Sequence, residues 1–294
     1  MKIAIYGQSY RENSNPCIVH LLQELEKYDT EIAIEENYLR TLQSTFSSVK
    51  DYPAFTTYEE LDRTYQFFFS IGGDGTMLRT VTYVRDLGIP VIGINTGRLG
   101  FLATVQHNNI AQAVKELVNK EYEIIPRSVL QVEITPQTED IRDINFALNE
   151  IAVSRKNTTS MITIATHLNN EYLTSYWADG LIVSTPTGST GYSLSCGGPV
   201  IAPGTNSLVL TPIAPHNLNA RPLIISDNTV VRLKVSGREN EYLVSLDSRT
   251  TTISNEAEVT IKRAPFNIHM VSLNSESFLK TLRKKLLWGE DKRN

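Results

Sequence analysis

Hydrophobic and polar positions follow two rhythms along this chain, and the rhythm changes near residue 125. Before that point, short apolar runs alternate with segments of helical spacing. Residues 2–6 (Lys2-Ile3-Ala4-Ile5-Tyr6) read as a strand running into Gly7. Residues 16–28 carry Ile18, Leu21, Leu22 and Leu25 at helical intervals. Thr30 to Ile34 reads as a second strand, Asn37 to Leu42 as a short helix, and the polar stretch 44–57, with Pro53, as a loop. The run Phe67-Phe68-Phe69-Ser70-Ile71 reads as a buried strand, followed through residue 86 by a helix bearing Met77, Leu78, Val81 and Val84. Ile89 to Asn95 gives another buried strand, and residues 109–120 a helix with Ile110, Ala113, Val114 and Leu117. Such alternation predicts an α/β, Rossmann-like domain with a mostly parallel sheet over residues 1–125. Ligands of such sheets sit beyond the carboxyl ends of the strands, where the turns 72–76 and 95–101 fall.

After Pro126 the helical spacing stops. Residues 128–135, 145–154, 161–168, 171–176, 180–184, 207–211, 229–236, 242–247, 251–254, 258–263 and 267–272 all read as strands. In 161–168, Ile162, Ile164 and Leu168 share one face, and Asn169-Asn170 suits a hairpin turn. Many short strands with turn signals predict an all-β domain of layered sheets or a sandwich over 126–272. The tail, 273–294, carries a helix over 275–288 with Phe278, Leu282 and Leu286 four apart. Its Lys280, Arg283, Lys284 and Lys285 read as a solvated face that complements the helix C-terminus.

Composition narrows the function classes. The 294 residues are 41% hydrophobic and 20% charged, which suits an ordinary core and up to two domains. A net charge of −4 argues against a nucleic-acid or anionic-membrane surface. Two cysteines far apart and five scattered histidines give no disulfide or zinc spacing. The chain starts directly on a strand pattern and has no run long enough to span a membrane, so a cytoplasmic protein is expected.

Three glycines within four residues, Gly72-Gly73-Asp74-Gly75-Thr76, separate the aromatic strand from its helix. A strand, a glycine turn and a helix start aim free N–H groups and the helix dipole at an anion. A carboxylate inside that cradle needs a reason. Asp74 can share a divalent cation with phosphates, take a proton from an attacking hydroxyl, or simply cap the helix. The spacing is neither a Walker loop nor the usual dinucleotide fingerprint. A second stretch, Ala178-Asp179-Gly180 through Thr187-Gly188-Ser189-Thr190-Gly191-Tyr192-Ser193-Leu194-Ser195 to Pro199, runs a buried strand into hydroxyls and glycines, with a helix starting near Thr190. It suits phosphates and ribose, and equally a capped Ser/Thr turn. Asn149-Glu150 sets an amide and a carboxylate in an apolar strand. That is costly unless they are paired, and ribose hydroxyls or a strand-end bond would pair them. The loop from Pro212 to Pro222 holds Ala214, His216 and Arg221, where the two cations can approach phosphates or serve structure alone.

Together these stretches resemble the NAD kinase (ATP-NAD kinase) family over almost the whole chain. The match takes in Gly72 to Thr76, Asn95-Thr96-Gly97-Arg98-Leu99-Gly100-Phe101-Leu102, Asn149-Glu150, 178–199, Pro212 to Pro222, and Leu282-Arg283-Lys284-Lys285-Leu286-Leu287-Trp288-Gly289. The first motif alone is shared with diacylglycerol and sphingosine kinases and, more loosely, phosphofructokinases. The resemblance implies an α/β domain, a β domain, and a tail that packs back on the first. It implies transfer of the ATP γ-phosphate to the 2′-hydroxyl of the adenosine ribose of NAD, with a divalent cation, Mg²⁺ by expectation. Asp74 matches the general base, and Gly72, Gly73, Gly75 and Thr76 the phosphate loop. NAD would be bound by Asp74, Gly75, Arg79, Phe101 at the adenine end, Asn149, Glu150, Asp179 at the nicotinamide side, Thr187, and Thr190 to Ser195. It also implies a homodimer or homotetramer whose neighbouring subunit helps complete the NAD site. No metal ligands are singled out.

Two positions depart from the family pattern. Trp177 stands where many members have Arg, and Arg249, after Asp247-Ser248, stands where some have Gln. The alternatives are a lipid or sugar kinase with the same glycine-rich core, or a non-catalytic dinucleotide sensor.

Overall fold

Four short strands whose side chains are largely buried on both faces build the first layer, as an α/β sheet requires. The computed structural model describes residues 1–8, 14–157, 160–274 and 276–289, without the side chains of 14 and 15. Position 275, where the sequence starts the tail helix, and residues 290–294 lie outside the described residues. The chain divides into two compact units, Met1–Pro126 with Ile268–Asn294, and Arg127–Asn267.

The first unit runs β1 (Lys2–Gly7), α1 (Ser14–Leu25), β2 (Glu31–Glu35), α2 (Glu36–Thr45), β3 (Ala54–Phe55), β4 (Phe67–Gly72), α3 (Asp74–Val84), β5 (Val91–Asn95), β6 (Val105–Gln106) and α4 (Ile110–Val118). The strands order as β3-β2-β1-β4-β5, each neighbour parallel, with β6 parallel to β5. The chain leaves β1 toward β2 and returns on the other side to β4. The β1/β4 border is therefore a topological switch point, with Gly7 and Gly72 at its carboxyl end. Ile3, Ile5, Phe67, Phe69 and Ile71 pack against Ile18, Leu21 and Leu25 of α1 and Val114 and Leu117 of α4 in one apolar core.

The 44–57 segment holds one element beyond the loop that the sequence suggests. Ala54–Phe55 pairs with β2, and Phe55 is buried edge-on against Phe68 and Tyr83. A two-residue edge strand has no periodicity to read.

The second unit is a sandwich, with β7 (Tyr122–Thr135) from Arg127 onward, β8 (Phe146–Ala147), β9 (Glu150–Arg155), β10 (Ile162–Leu168), β11 (Glu171–Ala178), β12 (Gly180–Ser184), α5 (Tyr192–Ser195), β13 (Ser207–Ile213), β14 (Leu223–Ser226), β15 (Val231–Ser236), β16 (Glu241–Leu246), β17 (Arg249–Ser254) and β18 (Glu258–Leu273) as far as Asn267. One antiparallel sheet orders β14-β13-β12-β9-β16-β17, and the other contains β11-β10-β15-β18. Ile162, Ile164, Tyr176 and Leu233 of one sheet meet Leu181, Val183, Leu208 and Val244 of the other. The β10–β11 turn uses Asn169 and Asn170, both at positive φ (49° and 73°), as the dipeptide suggests.

Three strand readings change. The 145–154 run breaks at Leu148-Asn149, whose N–H groups bond a side chain instead of a strand. The runs 258–263 and 267–272 are one strand, in which Pro265 is tolerated at an exposed position. β14 is half-exposed throughout and shows no buried face to recognise.

The tail forms α6 (Phe278–Leu286), capped by the Ser277 hydroxyl accepting from the Lys280 N–H, with Leu282 buried. Arg283, Lys284 and Lys285 fall in its last turn, where the dipole favours cations. Among the described residues, no helix is long and apolar enough to cross a membrane.

Phe69 is fully buried at the centre of the first core. Phe69→Ala should cost about 3–5 kcal/mol of stability. Chemical denaturation checks this, and an unchanged transition midpoint would contradict the packing described.

Candidate active site

The first group of functional residues surrounds the start of α3. Gly72 ends β4, Gly73 occupies the N-cap position without a side-chain cap, and Asp74 opens the helix. Among the described residues, nothing lies within 4 Å of where a Cβ would sit on Gly73 or Gly75, which suits a ligand's close approach to the turn. Thr76 is buried one turn ahead. Asp74 does not cap its own helix. Its Oδ2 accepts from the Phe101 N–H at 2.8 Å, and its Oδ1 from the Leu102 and Ala103 N–H groups at 3.0 Å each. The carboxylate is thus held by three successive amides of the loop after β5. That loop is braced in turn by Asn95, whose Nδ2 donates to the Arg98 carbonyl (2.7 Å) and whose Oδ1 accepts from Gly97 (2.8 Å). Phe101 lies under Lys285 of α6, with Nζ 5.6 Å from the ring centroid. Arg79, exposed on α3, hydrogen-bonds the Tyr6 phenol, whose pKa is raised by burial.

The second group belongs to the β sandwich. Asp247, at positive φ (52°), accepts from the Leu148, Asn149 and Glu150 N–H groups at 2.9, 2.8 and 3.2 Å. The 185–191 loop packs against the same corner. The Thr185 hydroxyl donates to the Leu148 carbonyl (2.7 Å), and the Thr185 N–H to that of Asn149 (2.9 Å). A Cβ at Gly188 would lie 2.2 Å from the Asn149 carbonyl oxygen, so only glycine lets the loop come so near. Gly191 then lies beside both side chains, its Cβ position 3.1 Å from Glu150 Oε2 and 3.4 Å from Asn149 Nδ2. The Tyr192 N–H bonds the Glu150 carboxyl.

Two atoms of this corner lack partners among the described residues. Asn149 Oδ1 and Glu150 Oε2 are buried without a hydrogen bond. Buried polar atoms are normally paired, so this pair is suited to a ligand's hydroxyls. Burial, and then the nearby Asp247 charge, push the Glu150 pKa up to about 8. A protonated Glu150 can both donate and accept, which matches a diol. Burial also raises Asp247, against the three N–H groups that favour its charge.

The remaining candidates are placed as follows. Asp179 pairs with Arg155 at 2.9 Å. Thr187 is buried, and its carbonyl accepts from the Thr190 hydroxyl (3.1 Å). Ser193 turns inward, its hydroxyl 2.8 Å from that of Thr211, while Tyr192 and Ser195 are exposed and Leu194 half-buried. His216 packs on Trp177 with the rings tilted by 56° and centroids 4.5 Å apart, so the indole contacts the loop that follows β13. Ala214 takes positive φ (44°). Arg221 bonds the Leu218 and Ala220 carbonyls of its own loop. Arg249 donates to the Ile144 carbonyl (2.6 Å) and to that of Phe146. His216, Arg221 and Arg249 therefore all have structural partners. Asp247 and Arg155 went unseen as functional positions. A lone Asp after a strand and a lone Arg at a strand end carry no local signal for bonds made 98 and 24 residues away.

Comparisons with known proteins bear on the family and the fold. Residues 19–122 match the family model of the ATP-NAD kinase N-terminal domain, and residues 148–273 that of the ATP-NAD kinase C-terminal domain. The chain is 59% identical over 294 residues to an NAD kinase of Christiangramia forsetii and 56% identical to one of Flavobacterium psychrophilum, covering 100% of both chains in each case. An NAD kinase from Archaeoglobus fulgidus, solved in complex with ATP, is similar with a TM-score of 0.74 and 26% identity, covering 98% of this chain and 99% of that one. A yeast NADH kinase complexed with NADH shares the fold, with a TM-score of 0.85, 21% identity, and coverage of 99% and 89%.

Glu150 gives a pH signature. Its folded pKa, about 8, lies above the unfolded value, so the folded state holds the extra proton between the two. The contribution of Glu150 to stability is then fullest below about pH 4.5 and is lost as pH rises toward 8. Glu150→Gln keeps the neutral shape. Its stability advantage over the native chain should grow between about pH 5 and 8 to a few kcal/mol, then level off. Thermal melts across that range check it, and a pH-independent difference would contradict a protonated Glu150.

Proposed function

This chain belongs to the NAD kinase family, and from that premise we propose that it transfers the γ-phosphate of ATP to the 2′-hydroxyl of the adenosine ribose of NAD, giving NADP and ADP. The observation that supports this chemistry most is the anchored carboxylate of Asp74 at an open, anion-accepting helix start.

A carboxylate offers about four lone pairs. Oδ1 of Asp74 receives two N–H groups and Oδ2 one, so the lone pair left open is on Oδ2. In the proposed step the ribose 2′-oxygen attacks the γ-phosphorus in line. A new O–P bond forms, the bond to the β,γ-bridging oxygen breaks, and ADP leaves with its electron pair. The hydroxyl proton passes to Asp74 Oδ2. Backbone N–H groups of Gly73, Asp74 and Gly75 are suited to the phosphates, with the α3 dipole behind them. Positioning and electrostatics supply most of the acceleration in such transfers. The divalent cation enters with the substrate, carried on the triphosphate as Mg²⁺ commonly is.

Asn149 and Glu150 hold NAD hydroxyls through their unpartnered oxygens. Thr187 and Thr190 to Ser195 line the dinucleotide pocket, where Ser193 contributes backbone because its hydroxyl is committed to Thr211. Asp179 serves the nicotinamide side with Arg155 as its counter-ion, Phe101 the adenine end, and Arg79 the region near Tyr6. We further infer a homodimer or homotetramer. Tyr172, Trp177, Leu218 and Ile224 are large apolar side chains left exposed on the second unit, which suits contact with another copy.

Purified protein with NAD, ATP and Mg²⁺ should form NADP, read by an NADP-specific dehydrogenase. Asp74→Asn should lose about 10²–10⁴-fold in turnover while binding NAD in calorimetry with little change. Binding without turnover in the native chain would instead favour a dinucleotide sensor. Failure to bind NAD would favour a lipid or sugar kinase, and a near-native rate in the variant would remove Asp74 from the proton-accepting role.

A further inference from the structure

Asp74 is held by three amides, and the space its carboxylate occupies is the space that a side chain at Gly100 would fill. A Cβ built on Gly100 would lie 1.9 Å from Asp74 Oδ1, 2.6 Å from Cγ and 2.9 Å from Oδ2. Real Cβ atoms do not come so close to another heavy atom. The conflict is one of volume alone, because Gly100 is not among the glycines with positive φ and alanine can adopt its backbone. The loop is tightly turned at this point, with the Gly100 N–H donating to the Ala103 carbonyl at 3.4 Å. Its next three N–H groups converge on the one carboxylate.

We infer that Gly100 is a positioning residue for the phosphoryl transfer. Its bare Cα lets the carboxylate seat against the Phe101, Leu102 and Ala103 amides and leaves one lone pair of Oδ2 for the hydroxyl proton. Alanine at this position would push the carboxylate off its donors and turn Oδ2 away from its set orientation. The inference rests on the proposed role of Asp74. It adds a second residue, 26 positions along the chain, whose effect passes through the first.

A double-mutant cycle tests it. Gly100→Ala, Asp74→Ala and the double variant are compared by steady-state kinetics with both substrates varied, and by thermal melting. Gly100→Ala alone should lower kcat by about 10–10³-fold, with the KM for NAD and for ATP nearly unchanged. In the Asp74→Ala background, where the obstructing carboxylate is gone, adding Gly100→Ala should change kcat by less than about twofold. Should Gly100→Ala lower the melting temperature, the clash requires that the double variant recover it. A native kcat in Gly100→Ala overturns the inference. So does an equal loss in both backgrounds, or a melting temperature that the double variant fails to recover. If Asp74→Ala alone turns over at the native rate, the proton-acceptor reading falls, and this inference falls with it.

Discussion

A backbone N–H that leaves a helix or strand still needs an acceptor, and among the described residues two aspartates each supply it to three successive N–H groups. Asp74 takes the amides of Phe101, Leu102 and Ala103, and Asp247 takes those of Leu148, Asn149 and Glu150. Each carboxylate gathers three consecutive donors and so fixes a segment that no ladder holds. In the α/β unit, this sets the loop after β5 against the start of α3. In the sandwich, it interrupts what would be one strand and presents the Asn149 and Glu150 side chains at the break. The constraint acts in opposite senses in the two units. On the proposed function Asp74 is itself the reactive group and is oriented by its donors, whereas Asp247 is the anchor and orients the donors' own side chains.

The arrangement is costly to stability, and on the proposed function the cost sits where a ligand would complete it. Glu150 is buried beside a second carboxyl, with one oxygen unpartnered, as is Asn149 Oδ1. Natural sites often hold such unpaired groups, which a ligand completes. The surrounding apolar cores offset the cost. Leu181 and Val183 of β12 and Val153 of β9 are fully buried next to the polar corner and hold its strands in register. The site is thus carried on strands, with the reactive loops fastened to them.

Most of the architecture was legible because its signals are local. The Phe67–Ile71 run, the helical spacing after Gly75 and the change of rhythm near residue 125 lie within short windows. The same holds for the asparagine turn at 169–170. Two of the misreadings share a cause in long-range pairing. Phe55 is a strand residue only because β2 lies beside it. Leu148-Asn149 leaves its strand only because Asp247 competes for its amides. The Gly72–Thr76 and Asn149-Glu150 candidates could be found from residue chemistry, since a carboxylate in an anion cradle and polar side chains in an apolar run are anomalies in themselves. Asp247 and Gly100 could not be found that way. One is an ordinary acid after a strand, and the other an ordinary glycine in a loop. Their significance is in what touches them, as with Trp177, whose indole reads as a lost charge in sequence and as a packing partner of the His216 ring in the structure.

An anchored carboxylate with one open lone pair could accept a proton or attack phosphorus itself. The two chemistries differ in a way that one measurement separates. ATP made chiral at its γ-phosphorus with oxygen isotopes can be turned over with NAD, and the configuration of the NADP 2′-phosphate analysed. Proton transfer to Asp74 with direct attack by the ribose hydroxyl is a single displacement and predicts inversion at phosphorus. Retention would mean two displacements through a phosphorylated enzyme and would contradict the role assigned to Asp74.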